Sequence, residues 1–68
     1  MRYAVVIEKT ERNYSAYVSD LPGCVAAGPT VAEVEVAIRE VIAMHIEGLL
    51  NDGGSVPQPT SLAEYIEA

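Results

Sequence analysis

Residues Val31 to Leu50 form the one long stretch of unbroken periodicity in the chain, and that stretch limits what the rest can do. Val31, Val34, Ile38, Val41, Ile42, His45 and Leu49 recur at helical spacing and fall on one side, while Glu33, Glu40 and Glu47 line up opposite. Thr30 and Glu33 have the Thr-x-x-Glu spacing of a capping box, in which each side chain satisfies a backbone amide, so the helix is expected to begin at Val31. Asn51-Asp52-Gly53-Gly54 stops it, because a glycine past the last turn can take the left-handed conformation. A long helix with one apolar side needs a surface to lie on.

The residues before it supply that surface as three short extended runs. Tyr3 to Glu8 is rich in β-branched and aromatic side chains, and Lys9-Thr10-Glu11-Arg12-Asn13 follows as a polar stretch of hairpin-loop length. From Tyr14 to Val18 the pattern alternates, with Tyr14, Ala16 and Val18 on one face and Ser15 and Tyr17 on the other. Asp20-Leu21-Pro22-Gly23 breaks the pairing, since proline has no amide hydrogen and glycine admits positive φ. Cys24-Val25-Ala26-Ala27 resumes a short third strand, which Gly28-Pro29 ends. The expected fold class is α+β: a three-stranded antiparallel sheet with one long helix packed across it.

After Gly54 the segment Val56-Pro57-Gln58-Pro59 reads as a proline-stiffened spacer. Ser61 and Glu64 repeat the capping-box spacing ahead of Leu62, Tyr65 and Ile66, which predicts a short C-terminal helix, marginal alone and therefore docked on something. The organisation is thus a β-β-β-α domain over residues 1–54 and a tail over residues 55–68.

A 68-residue chain sits near zero net stability. Ordering each residue costs about 1.5 kcal/mol, against a hydrophobic return of about 25 cal/mol per Å². Cys24 is the only cysteine and His45 the only histidine, so neither an internal disulfide nor a Cys/His zinc site can staple the fold. What remains is self-association or a protein partner, and a homodimer or larger even oligomer is expected. A second apolar set, Val36, Ala43 and Leu50, lies seven residues apart and away from the Ile38 face, which makes it the candidate oligomer interface.

Ten acidic residues against four basic ones give a net charge of −6, which opposes binding to a phosphate backbone and favours basic partners. The cations Arg2, Lys9, Arg12 and Arg39 form neither a basic helix face nor a stacking platform, so direct DNA binding is not expected of this chain alone. The apolar run at the N-terminus is too short for a signal peptide or a membrane span, and a cytoplasmic protein is expected. Cys24 has no cation nearby to stabilise a thiolate, and His45 reads as a core or interface residue. Glu8, Glu11 and Asp20 match no metal-binding spacing. No cofactor, metal or catalytic residue is expected.

Tyr3-Ala4-Val5-Val6-Ile7-Glu8, Asp20-Leu21-Pro22-Gly23-Cys24, Gly28-x-Thr30-x-x-Glu33 and Glu47-Gly48-Leu49-Leu50 with Pro57-x-Pro59 resemble, in this order and spacing, the HicB antitoxins over about residues 1–59. The resemblance implies a partial ribonuclease-H-like fold without its nuclease carboxylates. It also implies a partner similar to HicA, a small basic RNase toxin, to be bound and neutralised. Longer relatives continue past the Pro-x-Pro segment into another strand and a helix-turn-helix or ribbon-helix-helix DNA-binding domain, and residues 61–68, short and acidic, are not expected to supply such a domain. On this reading Glu33, Glu40 and Glu47 of the acidic face, with exposed Tyr17, are the candidate toxin contacts, and the turn Asp20 to Cys24 serves the fold. The alternatives are an orphan HicB-like self-assembling domain and, more remotely, a metal-dependent nuclease using Glu8 or Asp20.

Overall fold

A computed structural model describes residues 1–68. The elements run β1 (Val5–Lys9), β2 (Tyr14–Val18), β3 (Val25–Gly28) and α1 (Val31–Asn51). The strands form one antiparallel sheet in the order β1-β2-β3. The α+β class, the topology and the start of α1 agree with expectation. The strands are displaced by a residue or two from the runs Tyr3 to Glu8 and Cys24 to Ala27.

Each connection is closed by bonds its own residues supply. Between β1 and β2, the Thr10 amide donates to the Asn13 carbonyl at 2.8 Å, and the Asn13 amide donates back to Thr10 Oγ1 at 3.1 Å. Between β2 and β3, Leu21 N–H donates to Val18 O and Cys24 N–H to Leu21 O, with Gly23 at φ +81°. A residue with a Cβ is strained at that angle. This turn folds Leu21 inward until none of its surface is exposed.

The core comprises Ala16, Val18, Leu21, Cys24, Val34 and Ile38. Ala16 and Val18 are the inward face of β2, as the alternation requires, and Tyr17 between them faces out. The helix starts close over this floor because β3 ends on Gly28: a Cβ there would lie 3.3 Å from the Val34 amide nitrogen, so α1 would have to give way by a few tenths of an ångström. Thr30 is the N-cap, in extended conformation, and its Oγ1 accepts the Glu33 amide at 3.1 Å. At the other end Gly54 N–H bonds Leu49 O and Gly53 N–H bonds Leu50 O, with Gly53 at φ +75°, the Schellman arrangement that satisfies the last carbonyls. The helix packs on β3 and β2 and covers β1 least.

The expected C-terminal helix is absent, and residues 54–68 carry no regular structure. Ser61, read as its cap, is committed elsewhere. Both oxygens of Asp20 are occupied by this segment: Thr60 N–H and Ser61 N–H donate to one at 2.9 and 3.0 Å, and the two hydroxyls to the other at 3.0 and 2.9 Å. Tyr3 O–H adds a bond to Pro57 O at 2.6 Å. Beyond this clasp Leu62, Tyr65 and Ile66 touch too little to hold a helix that is too short to stand alone.

Two outcomes follow from this packing. Leu21→Ala removes a fully buried side chain and is expected to cost about 3 kcal/mol in urea unfolding, most of what a domain this small possesses. The amide and hydroxyl of Ser61, with the pair from Thr60 adding to them, hold the Asp20 carboxyl below its ordinary 3.8, and partial desolvation opposes them. Because the folded value is the lower one, the clasp is fully formed above pH 3.8 and is lost as pH falls through that folded value. The Thr60 and Ser61 amide resonances should therefore hold steady from neutral pH down to about 4 and move only below it. In Asp20→Ala they should sit at free-chain positions throughout.

Candidate functional site

Glu33, Glu40 and Glu47 are all exposed on α1, on the side turned away from Val34 and Ile38. Val36 and Leu50 are 55% and 60% exposed, and Ala43 between them is exposed too. Helix geometry makes these two rows neighbours. Glu33 stands three residues before Val36, Glu40 four after it and three before Ala43, and Glu47 four after Ala43 and three before Leu50. Such spacings place side chains side by side. The acidic row and the second apolar row are therefore one continuous strip along the outer face of α1, with Met44, 70% exposed, on its margin.

Tyr17 is not part of it. Its neighbours Ala16 and Val18 are buried beneath α1, so Tyr17 projects from the opposite face of the sheet and is 43% exposed. There it is flanked by Val6 on β1 and Val25 on β3, its partners in register, forming an apolar row across all three strands. Sequence reasoning did not single out Val6 or Val25, because only the register shows that they share Tyr17's row. The layers of sheet and helix separate this row from the glutamates.

A groove of about 340 Å³ runs between β1 and α1, lined by Val5, Ile7, Ile38 and Ile42 with Glu35 and Arg39 on its helical wall. It exists because α1 leans toward β3 and leaves the inner face of β1 partly uncovered. A second hollow, of about 320 Å³, lies where Arg2, Tyr3 and Ala4 meet Ser61, Leu62 and Ala63.

The side chains weighed for chemistry are engaged in the fold. Cys24 is buried, and burial pushes its thiol above the ordinary 9.0, which keeps it protonated at neutral pH. His45 lies half-buried on the sheet-facing side of α1. Asp20, the carboxylate closest to a strand end in the second turn, has both oxygens taken by four donors. No three side chains of His, Cys, Asp or Glu cluster as metal ligands. No helix is long and apolar enough to cross a membrane.

Known proteins resemble this chain in both sequence and fold. The family model for the HicB-like antitoxin of bacterial toxin-antitoxin systems matches residues 3–68. An uncharacterised 14.9 kDa protein from the rep-hol intergenic region of Haemophilus phage HP1 is 39% identical over 66 residues, which is 97% of this chain and 50% of that protein. The chain thus spans about half the length of that relative. A chain of the solved HicA3 and HicB3 toxin-antitoxin complex superposes with a TM-score of 0.74 at 37% identity, covering 87% of this chain and 70% of that one. The three-stranded sheet, the long helix laid across it and these matches together place the chain in the HicB-like antitoxin family.

Proposed function

We propose that this chain is the antitoxin of a HicA/HicB-type pair and neutralises a small basic RNase toxin by covering its RNA-binding or catalytic surface. The observation that carries the reading is the outer strip of α1, where three exposed glutamates run beside an exposed apolar row on a chain of net charge −6. Charge of this sign and placement accelerates encounter with a cationic protein, and the apolar row supplies contacts that persist once water is excluded. Family membership and the likeness to a solved toxin-antitoxin complex support the same partner chemistry. In this reading no side chain of the chain makes or breaks a bond.

Tyr17 stands on the far side of the sheet, so a toxin that met both Tyr17 and the glutamates would have to wrap around a sheet edge. The strip is therefore the primary contact in this proposal. Self-association through Val36, Ala43 and Leu50 uses the same strip, and a homodimer built on it competes with the toxin for one surface.

The test is co-expression with the product of the adjacent reading frame, followed by RNA cleavage by that product with and without this chain. A stable complex and suppressed cleavage are expected; uninhibited cleavage with no complex refutes the proposal. Within the complex, the triple change Glu33→Gln, Glu40→Gln and Glu47→Gln should slow association about tenfold at low salt, measured by stopped-flow or surface binding, with a smaller effect at high salt. Tyr17→Ala should leave the association rate unchanged. Val36→Asp should shift the free chain to monomer in sedimentation, and in the unmodified protein added toxin should dissociate the dimer.

A further inference from the structure

The outer strip of α1 carries a finer pattern than an apolar row beside an acidic one. From Ala32 onward, Val36, Arg39, Ala43, Ile46 and Leu50 follow in alternating steps of four and three. This is the spacing at which two helices seat each other's side chains along a shared seam. Every member but Arg39 is apolar; Ile46 is half-buried and the other five are exposed. The run extends about 27 Å, nearly the whole of α1. Packing on the sheet does not account for it, because Val34 and Ile38, the buried helical residues, lie on the opposite side.

The two flanks of this seam differ. Along one, Glu33, Glu40 and Glu47 each follow a seam residue and are exposed. Along the other stand Glu35, Ile42 and Leu49, of which Ile42 and Leu49 are half-buried toward the sheet. The flank that stays open along the whole seam is therefore acidic throughout. A second copy of α1 meets like charge in either direction. Laid antiparallel, it sets the Glu33, Glu40 and Glu47 row against its own counterpart; laid parallel, it sets Arg39 against Arg39 in the seam and Glu35 against Glu40 across it. A helix with basic residues at seven-residue spacing turns each of the antiparallel repulsions into an attraction. Arg39 selects further, since a charge in the middle of a seam costs contact area and favours the partner that supplies its counter-charge.

We infer that the outer strip of α1 takes a single amphipathic helix of its cationic partner, with basic residues recurring opposite Glu33, Glu40 and Glu47 and a carboxylate in its seam meeting Arg39. This contact presupposes the basic protein partner proposed above and gives it a shape at the interface. Arg39 and the three glutamates are then the residues that tell that helix from a second copy, which is the weaker occupant of the strip and gives way to it.

Two measurements on the full chain test the inference. The first uses a synthetic helical peptide of about five turns, with Leu along its seam, one Glu placed to face Arg39 and Lys at every seventh flank position. It should shift the Val36 and Leu50 methyl resonances, leave Val6 and Val25 unmoved, and bind about tenfold more tightly than a peptide of the same composition with its lysines scrambled. The second is Arg39→Leu, an exposed position whose replacement does not threaten the fold. It should strengthen self-association about tenfold in sedimentation and weaken the peptide complex. Equal binding of the scrambled peptide, unmoved Val36 and Leu50, or unchanged self-association of Arg39→Leu overturns the helical contact. RNA cleavage suppressed by a chain that fails these tests overturns the helical contact alone and leaves the antitoxin proposal standing. Peptide binding as expected beside uninhibited cleavage supports the helical contact and overturns the antitoxin proposal.

Discussion

The contact of Val34 and Ile38 with a floor made by Ala16, Val18, Leu21 and Cys24 is what the remainder of the molecule is arranged around. Burial of these six side chains is the main return against the entropy of ordering the chain. The contact also dictates geometry. Only Pro29 and Thr30 separate β3 from α1, so the helix must start over the strand it leaves, and Gly28 lets it start close. A helix that begins on β3 lies over β3 and β2. The partly bare inner face of β1 is a consequence of that short connection, and so is the groove beside it.

Much of this was legible in the sequence wherever the signal was local. Thr30 caps the helix as its spacing indicates, Gly53 takes the left-handed conformation that ends it, and Ala16 and Val18 turn inward while Tyr17 turns out. What escaped was decided by distant partners. Ser61 and Glu64 have the spacing of a helix start, yet the Ser61 hydroxyl bonds a carboxylate forty-one residues away in the chain. Leu21 sits in a proline-glycine turn, a setting that normally faces water, and is instead the most buried leucine because the turn curls under α1. The two candidate surfaces on the helix were each recognisable, but their rows had been assigned to separate partners; their adjacency makes them one surface.

Asp20 illustrates how a role is settled by geometry. A carboxylate near a strand end on a nuclease-like sheet invites a metal-binding reading. Four donors on its two oxygens instead make it a structural acceptor that holds residues 60 and 61 in place. A cation at Asp20 would have to displace both donors from at least one oxygen before gaining a ligand, and it would loosen the tail in doing so.

The lengths of the elements are unequal in a way that shapes how the protein can be held. Its 21 residues give α1 about 31 Å, whereas strands of five, five and four residues reach about 17 Å at most. Both buried helical residues, Val34 and Ile38, belong to the first half of α1. The second half keeps Val41 and Ile42 against the core and His45, Ile46 and Leu49 half-buried, while Ala43, Met44, Glu47 and Leu50 stay exposed along its outer side up to the stop at Gly53 and Gly54. A partner can therefore take hold of the helix along the full length of its outer side, as a hand rests on a rail, without displacing anything the core requires.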